Sequence, residues 1–212
     1  MRKTMLIEGL NHHHGSWSRR HVLQAGGLVL IGMVAGAPLR GVAQEALPPT
    51  PQCDDGKGDA TPRQGEGPFY TPNTPQRTSL LEAGTKGSPI IVTGMVLNTQ
   101  CEPVAGALLD FWQANADGVY DNQGYTMRGH QFTDAKGRYR LETVVPGSYP
   151  GRTRHIHVKV QAPHGPVLTT QLYFPNEAQN QRDFIYDERL LVTMPPSSAA
   201  KPAARFDFVL QT

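Results

Sequence analysis

The stretch "YPGRTRHIHVKV", Tyr149 to Val160, sets a tyrosine, two arginines and two histidines ahead of an alternating apolar and polar run. The alternation predicts a β-strand, on which residues two apart share a face. His155 and His157 therefore project side by side, and Ile156 points into the opposite layer. Two imidazoles at this spacing can hold one metal ion. Equally, one is exposed and the other is a hydrogen-bonded core residue; so short a motif leaves the two readings level. Neither HExxH nor a cysteine cluster occurs, so the usual zinc patterns fail, and no carboxylate is placed for a 2-His-1-carboxylate iron site. Tyrosine is the other candidate ligand. A phenolate is a hard anionic oxygen donor that suits an oxidised ion such as Fe(III), whose charge pulls the phenol pKa far below about 10. Tyr149 stands six residues before His155, and Tyr120 lies in the turn-like "ADGVYDN". Taken singly, each tyrosine reads as a packing residue with a satisfied hydroxyl.

Something must hold these side chains, and from Ile90 onward the chain supplies it. Short β-type runs alternate with turn residues: "IIVTGMVLN", "ALLDFWQA", "HQFTDAKGRYRLETV", "RHIHVKVQA", "VLTTQLYFP" and "RFDFVLQ". Asp134 to Gly137 reads as a hairpin turn between two alternating runs. With no helix of ordinary length and no internal repeat, the expected fold is all-β, a β-sandwich of mostly antiparallel short strands. Residues 44–89 are rich in Pro, Gly, Asp and Thr and read as an extended N-terminal arm. Its one apolar patch, "EGPFY" (Glu66 to Tyr70), is expected to dock the arm on the core of a β-sandwich domain spanning 90–212.

Residues 1–43 read differently. Ser18, Arg19 and Arg20 precede a short apolar run broken by glycines, which ends in small residues at Ala43. This is the layout of a twin-arginine export signal with a cut near Ala43, and the run is shorter than the about 20 residues a membrane span needs. The expectation is a periplasmic or secreted protein with no stable membrane span after processing. The leader holds five of the 20 Lys/Arg and one of the 18 Asp/Glu. Without it the balance turns slightly acidic, so the basic pI is no argument for nucleic acid. The "HHH" run of His12 to His14 leaves with it. Cys53 and Cys101 remain; an oxidising compartment favours a disulfide over two buried thiols, and it would tie the arm to the sandwich.

With all these residues in view, the chain resembles the intradiol ring-cleavage dioxygenases, the catechol and protocatechuate 3,4-type enzymes. The likeness runs in the family's order through "EGPFY", "VTGMVLNTQCEPVAGALLDFWQANADGVYDNQG", "MRGHQFTDAKGRYRLETVVPGSYPGRTRHIHVKV" and "TTQLYFP". The resemblance implies non-haem Fe(III) held by Tyr120, Tyr149, His155 and His157. Tyr149 would double as a proton acceptor, Arg152 would stabilise negative charge on the ring, and Gln171 would line the pocket. It implies a small aromatic diol and O2 as partners, with a muconate-type diacid as product and no external reductant; a homo-oligomer stays an open option. An iron-free binding module on the same scaffold, and a copper or zinc protein using the His pair alone, are the competing readings. One departure stands out. Only Pro150 and Gly151 separate Tyr149 from Arg152, where the best-known members carry a longer, pocket-lining insertion.

Overall fold

A computed structural model describes Cys53 and residues 58–195 and 202–212. The twin-arginine segment lies outside the described residues. Among the described residues, eight strands form two sheets: β1 (Pro89–Asn98), β2 (Leu108–Trp112), β3 (Arg128–Phe132), β4 (Arg138–Val144), β5 (His155–Gln161), β6 (Val167–Tyr173), β7 (Ala203–Arg205) and β8 (Phe208–Leu210). One sheet runs β3-β2-β5-β6, antiparallel throughout. In the other, β1 pairs with β4 antiparallel and with the short β7 and β8 in parallel. The mostly antiparallel sandwich is as the alternation predicts. Among the described residues, no helix is long and apolar enough to cross a membrane; two short 3₁₀ turns, Ala178–Arg182 and Glu188–Leu190, follow β6.

The period of two explains the core. Ile90, Val92 and Val96 of β1 and Leu141 of β4 face Leu109, Phe111, Ile156, Val158, Val160 and Leu172 of the other sheet, all fully buried. Each such side chain contributes about 1.5–3 kcal/mol on burial. The turn at Asp134 to Gly137 corrects the hairpin expectation. Its chemistry is right, since the Asp134 carboxylate accepts from the amides of Lys136 and Arg138 at 2.9 Å each. But β3 pairs with β2 and β4 with β1, so the turn carries the chain from one sheet to the other. Both flanking runs alternate, and alternation does not say which neighbour a strand pairs with.

The arm closes the sheet edges. The Gln64 amide donates to Thr169 O (2.8 Å) beside β6, and Arg77 N donates to His130 O (2.8 Å) beside β3. Further on, Leu80 N reaches Glu142 O (2.8 Å) on β4. Each contact caps an edge that would otherwise present unpaired backbone groups. Between the two edges of the first sheet, the arm crosses its outer face at Glu66 to Tyr70. Lys159 of β5 pairs with Glu66 (2.5 Å) and lies over the Tyr70 ring, 3.7 Å from its centre. Tyr70 packs against Trp112, and its hydroxyl donates to Asp110 (2.9 Å). A disulfide joins Cys53 to Cys101 just beyond β1.

Candidate metal centre

Three strands and two loops converge under this arm. The register pairs Trp112 of β2 and Gln171 of β6 with His157 of β5. His155 and His157 share the outer face, which an uncovered sheet would leave wet. Here both are only 2% exposed: Gly67 of the arm lies against His157, and Tyr120, Tyr149 and Tyr173 close over His155. Trp112 stacks flat on the His157 imidazole, with rings 4.8 Å apart and 8° between planes. Tyr149 and Arg152 flank a tight turn closed by Arg152 N donating to Tyr149 O at 2.9 Å. Proline at its second position and Gly151 at its third, with φ at 78°, are what a type II turn requires. Tyr120 comes from the β2–β3 loop. The Asp121 carboxylate holds that loop by accepting the amides of Gln123, Gly124 and Thr126. Those bonds depress the Asp121 carboxyl below the usual range, so its support is present at neutral pH, begins to fade as pH falls below about 4, and is gone only below the depressed native value.

The two tyrosine loops meet at glycines. A Cβ on Gly118 would lie 2.5 Å from Ser148 O, whereas one on Gly151 would meet nothing within 4 Å. Gly151→Ala should therefore cost only backbone strain, about 1–2 kcal/mol. Gly118→Ala adds a clash and should lower Tm further and loosen the site. Thermal melts of the two variants, with metal content, check this; a larger loss from Gly151→Ala would contradict it.

The four predicted ligands meet. Nε2 of His155 lies 3.3 Å from Tyr120 Oη, 3.3 Å from Tyr149 Oη and 3.1 Å from His157 Nε2. His155 Nδ1 is 2.7 Å from Thr153 O. A carbonyl only accepts, so Nδ1 carries the proton and Nε2 turns its lone pair into the cluster. That one lone pair cannot serve three neighbours. A cation would resolve it: donors about 2.1 Å from a shared ion stand about 3.0–3.4 Å apart at right or tetrahedral angles. Among the described residues no three His, Cys, Asp or Glu side chains gather around a metal position, so such a centre depends on the tyrosine oxygens.

Electrostatics agree. Burial, then the Arg152 charge, push His155 down to about 4. Burial, then His155 beside it, hold His157 well below its usual value. Both imidazoles are thus neutral, the state that ligates. Burial, then the neighbouring Tyr149, raise Tyr120 far above the ordinary phenol value. Only a nearby positive charge can make it a phenolate, so metal binding here would be tied to proton release.

Arg152 is mostly buried beside the cluster. Its Nε donates to Asp183 (2.9 Å) and its Nη2 to Gln171 Oε1 (2.5 Å). Gln171 in turn donates to Gly65 O of the arm (3.2 Å). Arg154 turns away to Glu177 (3.3 Å). Sequence reasoning named the six residues now found together but missed Asp183, Trp112 and Phe69, which stacks on Tyr120 at 4.4 Å. Asp183 sits in a loop where no periodicity points to it. Trp112 could have been found only by knowing the β2–β5 register. Phe69 lay in the patch expected to dock, without a stated target. A separate groove of about 540 Å³, lined in part by Thr93, Phe132, Arg138 and Arg205, has none of the six in its lining.

Comparison with known proteins follows the same lines. Residues 65–212 match a family model described as "Dioxygenase". The protocatechuate 3,4-dioxygenase beta chain of Burkholderia cepacia is 38% identical over 109 residues, 43% of this chain and 46% of its own. The catechol 1,2-dioxygenase of Acinetobacter baylyi is 28% identical over 160 residues, 62% of this chain and 51% of its own. The chain thus spans about half the length of the curated relatives it matches. Among solved structures, the dioxygenase domain of a dioxygenase carbohydrate-binding protein fusion from Streptomyces sp. SirexAA-E is 54% identical, with a TM-score of 0.70 over 72% of this chain and 99% of that one. The 3-chlorocatechol 1,2-dioxygenase of Rhodococcus opacus is 26% identical, with a TM-score of 0.66 over 71% and 72%. The matched region takes in both sheets, the arm from Gly65 and all six residues of the cluster, and the chain belongs to the intradiol ring-cleaving dioxygenase family.

Proposed function

We propose that this chain is an exported dioxygenase that uses non-haem Fe(III) and O2 to cleave a catechol-type diol between its two oxygen-bearing carbons. The observation that carries the reading is the meeting of Tyr120, Tyr149 and His157 donor atoms around Nε2 of His155. These four residues would hold the ion. Fe(III) so held would activate the bound diol toward O2 without an external reductant, and both oxygen atoms enter the diacid product.

The rest is the work of the protein's own groups. Tyr149, half-buried at the start of the short turn, is the side chain placed to take a proton from the entering diol at its Oη. Arg152 has Nε and Nη2 engaged by Asp183 and Gln171, so the N–H groups left over, on a group of permanent charge, are the ones it has to offer the diol. They stabilise negative charge that builds on the diol. Trp112 against His157 and Phe69 against Tyr120 fix ring orientations and keep water off the ligands.

Oxygen uptake with catechol, protocatechuate and hydroxyquinol, run on protein of known iron content, tests the reading. We expect uptake with at least one of them and a coloured protein with about one iron per chain. A colourless protein that binds ring diols without consuming oxygen would overturn it. The two-residue link between Tyr149 and Arg152 makes the ring substituents the discriminating variable in that panel.

Export is part of the proposal and rests on the Ser18-Arg19-Arg20 head and the apolar run behind it. The twin-arginine route carries folded proteins, which suits a centre assembled from four separated side chains. Intact mass of the exported form should place its start near Gln44, and alkylation should find no free thiol at Cys53 or Cys101. A full-length, membrane-retained species would contradict the first expectation, and two titratable thiols the second.

A further inference from the structure

We infer that Asp183 is a positioning residue for Arg152, an inference that rests on the catechol-cleaving reading of the site. Asp183 follows the first 3₁₀ turn after β6, and its side chain is 0% exposed. A buried carboxylate persists only where its oxygens are engaged. Here Oδ2 accepts from Arg152 Nε (2.9 Å) and from the Thr153 amide (3.0 Å), while Oδ1 accepts from the Ile185 amide (3.2 Å). One carboxylate therefore grips both the guanidinium and the backbone of the next residue. That double hold fixes where Arg152 leaves the main chain and the plane in which its side chain ends.

The grip is itself anchored. Thr153 Oγ1 donates to Asn180 Oδ1 (2.7 Å), and Asn180 Nδ2 donates to Phe174 O (2.9 Å) at the end of β6. The Ile185 carbonyl accepts from Gln64 of the arm (2.7 Å). On the far side, Gln171 Oε1 takes Arg152 Nη2. With Nε and Nη2 held from two directions, the guanidinium keeps little freedom to turn. Asp183 also offsets its charge, so what Arg152 delivers to the diol is direction more than net field.

A purely structural Asp183–Arg152 pair is the alternative, and a role exercised through Arg152 behaves differently from it. Such a role vanishes once Arg152 is replaced, so the pair should be strongly non-additive. We compare the iron-loaded full chain as wild type, Asp183→Asn, Arg152→Lys and the double variant. Asp183→Asn should keep iron and the visible band, change KM by less than about threefold, and lower kcat by about tenfold or more. In the Arg152→Lys background it should cost nothing further. A crystal structure of Asp183→Asn should show Arg152 displaced from Gln171 Oε1.

Additive losses, or an Arg152–Gln171 contact unchanged in the variant, would overturn the inference. Should Asp183→Asn fail to fold, Asp183→Glu keeps the charge, shifts it by one carbon and should also lower kcat. If neither variant folds, Asp183 is structural and the inference falls. Should the wild type cleave no ring diol, it is the functional reading that fails, and the Arg152–Gln171 contact still tests Asp183 on its own.

Discussion

Arg152→Lys should retain a full complement of iron and lose most of kcat, on the order of 10²–10³. The guanidinium is held flat by two acceptors, Asp183 Oδ2 and Gln171 Oε1, which lie in different elements of the fold. A lysine carries the charge on one nitrogen. It can satisfy either acceptor but cannot span both and still present N–H groups to the diol. Because Arg152 is no ligand in this reading, metal content and colour should stay, so the loss falls on chemistry. Arg154→Lys is the control. Its side chain pairs with Glu177 and is 39% exposed, and an ion pair in solvent contributes little. Steady-state oxygen uptake with a cleaved diol measures both variants. Comparable losses in the two would remove Arg152 from its assigned role.

Tyr120→Phe and His155→Ala should lose metal and visible colour together. Tyr120 is buried, and its phenol stays protonated unless a cation lies beside it. In this packed position the hydroxyl is of use chiefly as a donor to an ion. Tyr120→Phe removes only that oxygen and leaves a ring of nearly the same volume stacked against Phe69, so the fold should survive. His155 is the hub of the cluster, and its loss removes the one atom that the other three donors all approach. Losing the hydrogen-bond partner of a ligand typically costs about 10–100-fold in metal affinity, and losing a ligand should cost more. Iron per chain and the tyrosinate-to-Fe(III) absorption band are the measurements. A Tyr120→Phe protein with full iron and an unchanged band would show that the ligand assignment is wrong.

Much of this was legible in the sequence. The spacing of His155 and His157 on an alternating run put both on one face, because a strand's side-chain period is two. Proline and glycine between Tyr149 and Arg152 already specified a tight turn. The family's order of motifs singled out Tyr120 and Gln171, which no spacing argument could reach. The alternating runs from Ile90 onward determined a sandwich.

Pairing was decided only in the tertiary structure. Asp134 to Gly137 has hairpin chemistry, yet β3 and β4 part to different sheets, because each edge is completed by the arm instead: Arg77 at β3, Leu80 at β4. Trp112 lies on His157, and Asp183 on Arg152, through contacts between segments far apart in the chain, and local periodicity carries no information about such partners. The burial of both histidines on an outward face is the plainest case. A strand pattern alone assigns that face to solvent, and it is dry because segments with no periodicity of their own come over it: the arm against His157, and the loops carrying Tyr120 and Tyr149 against His155.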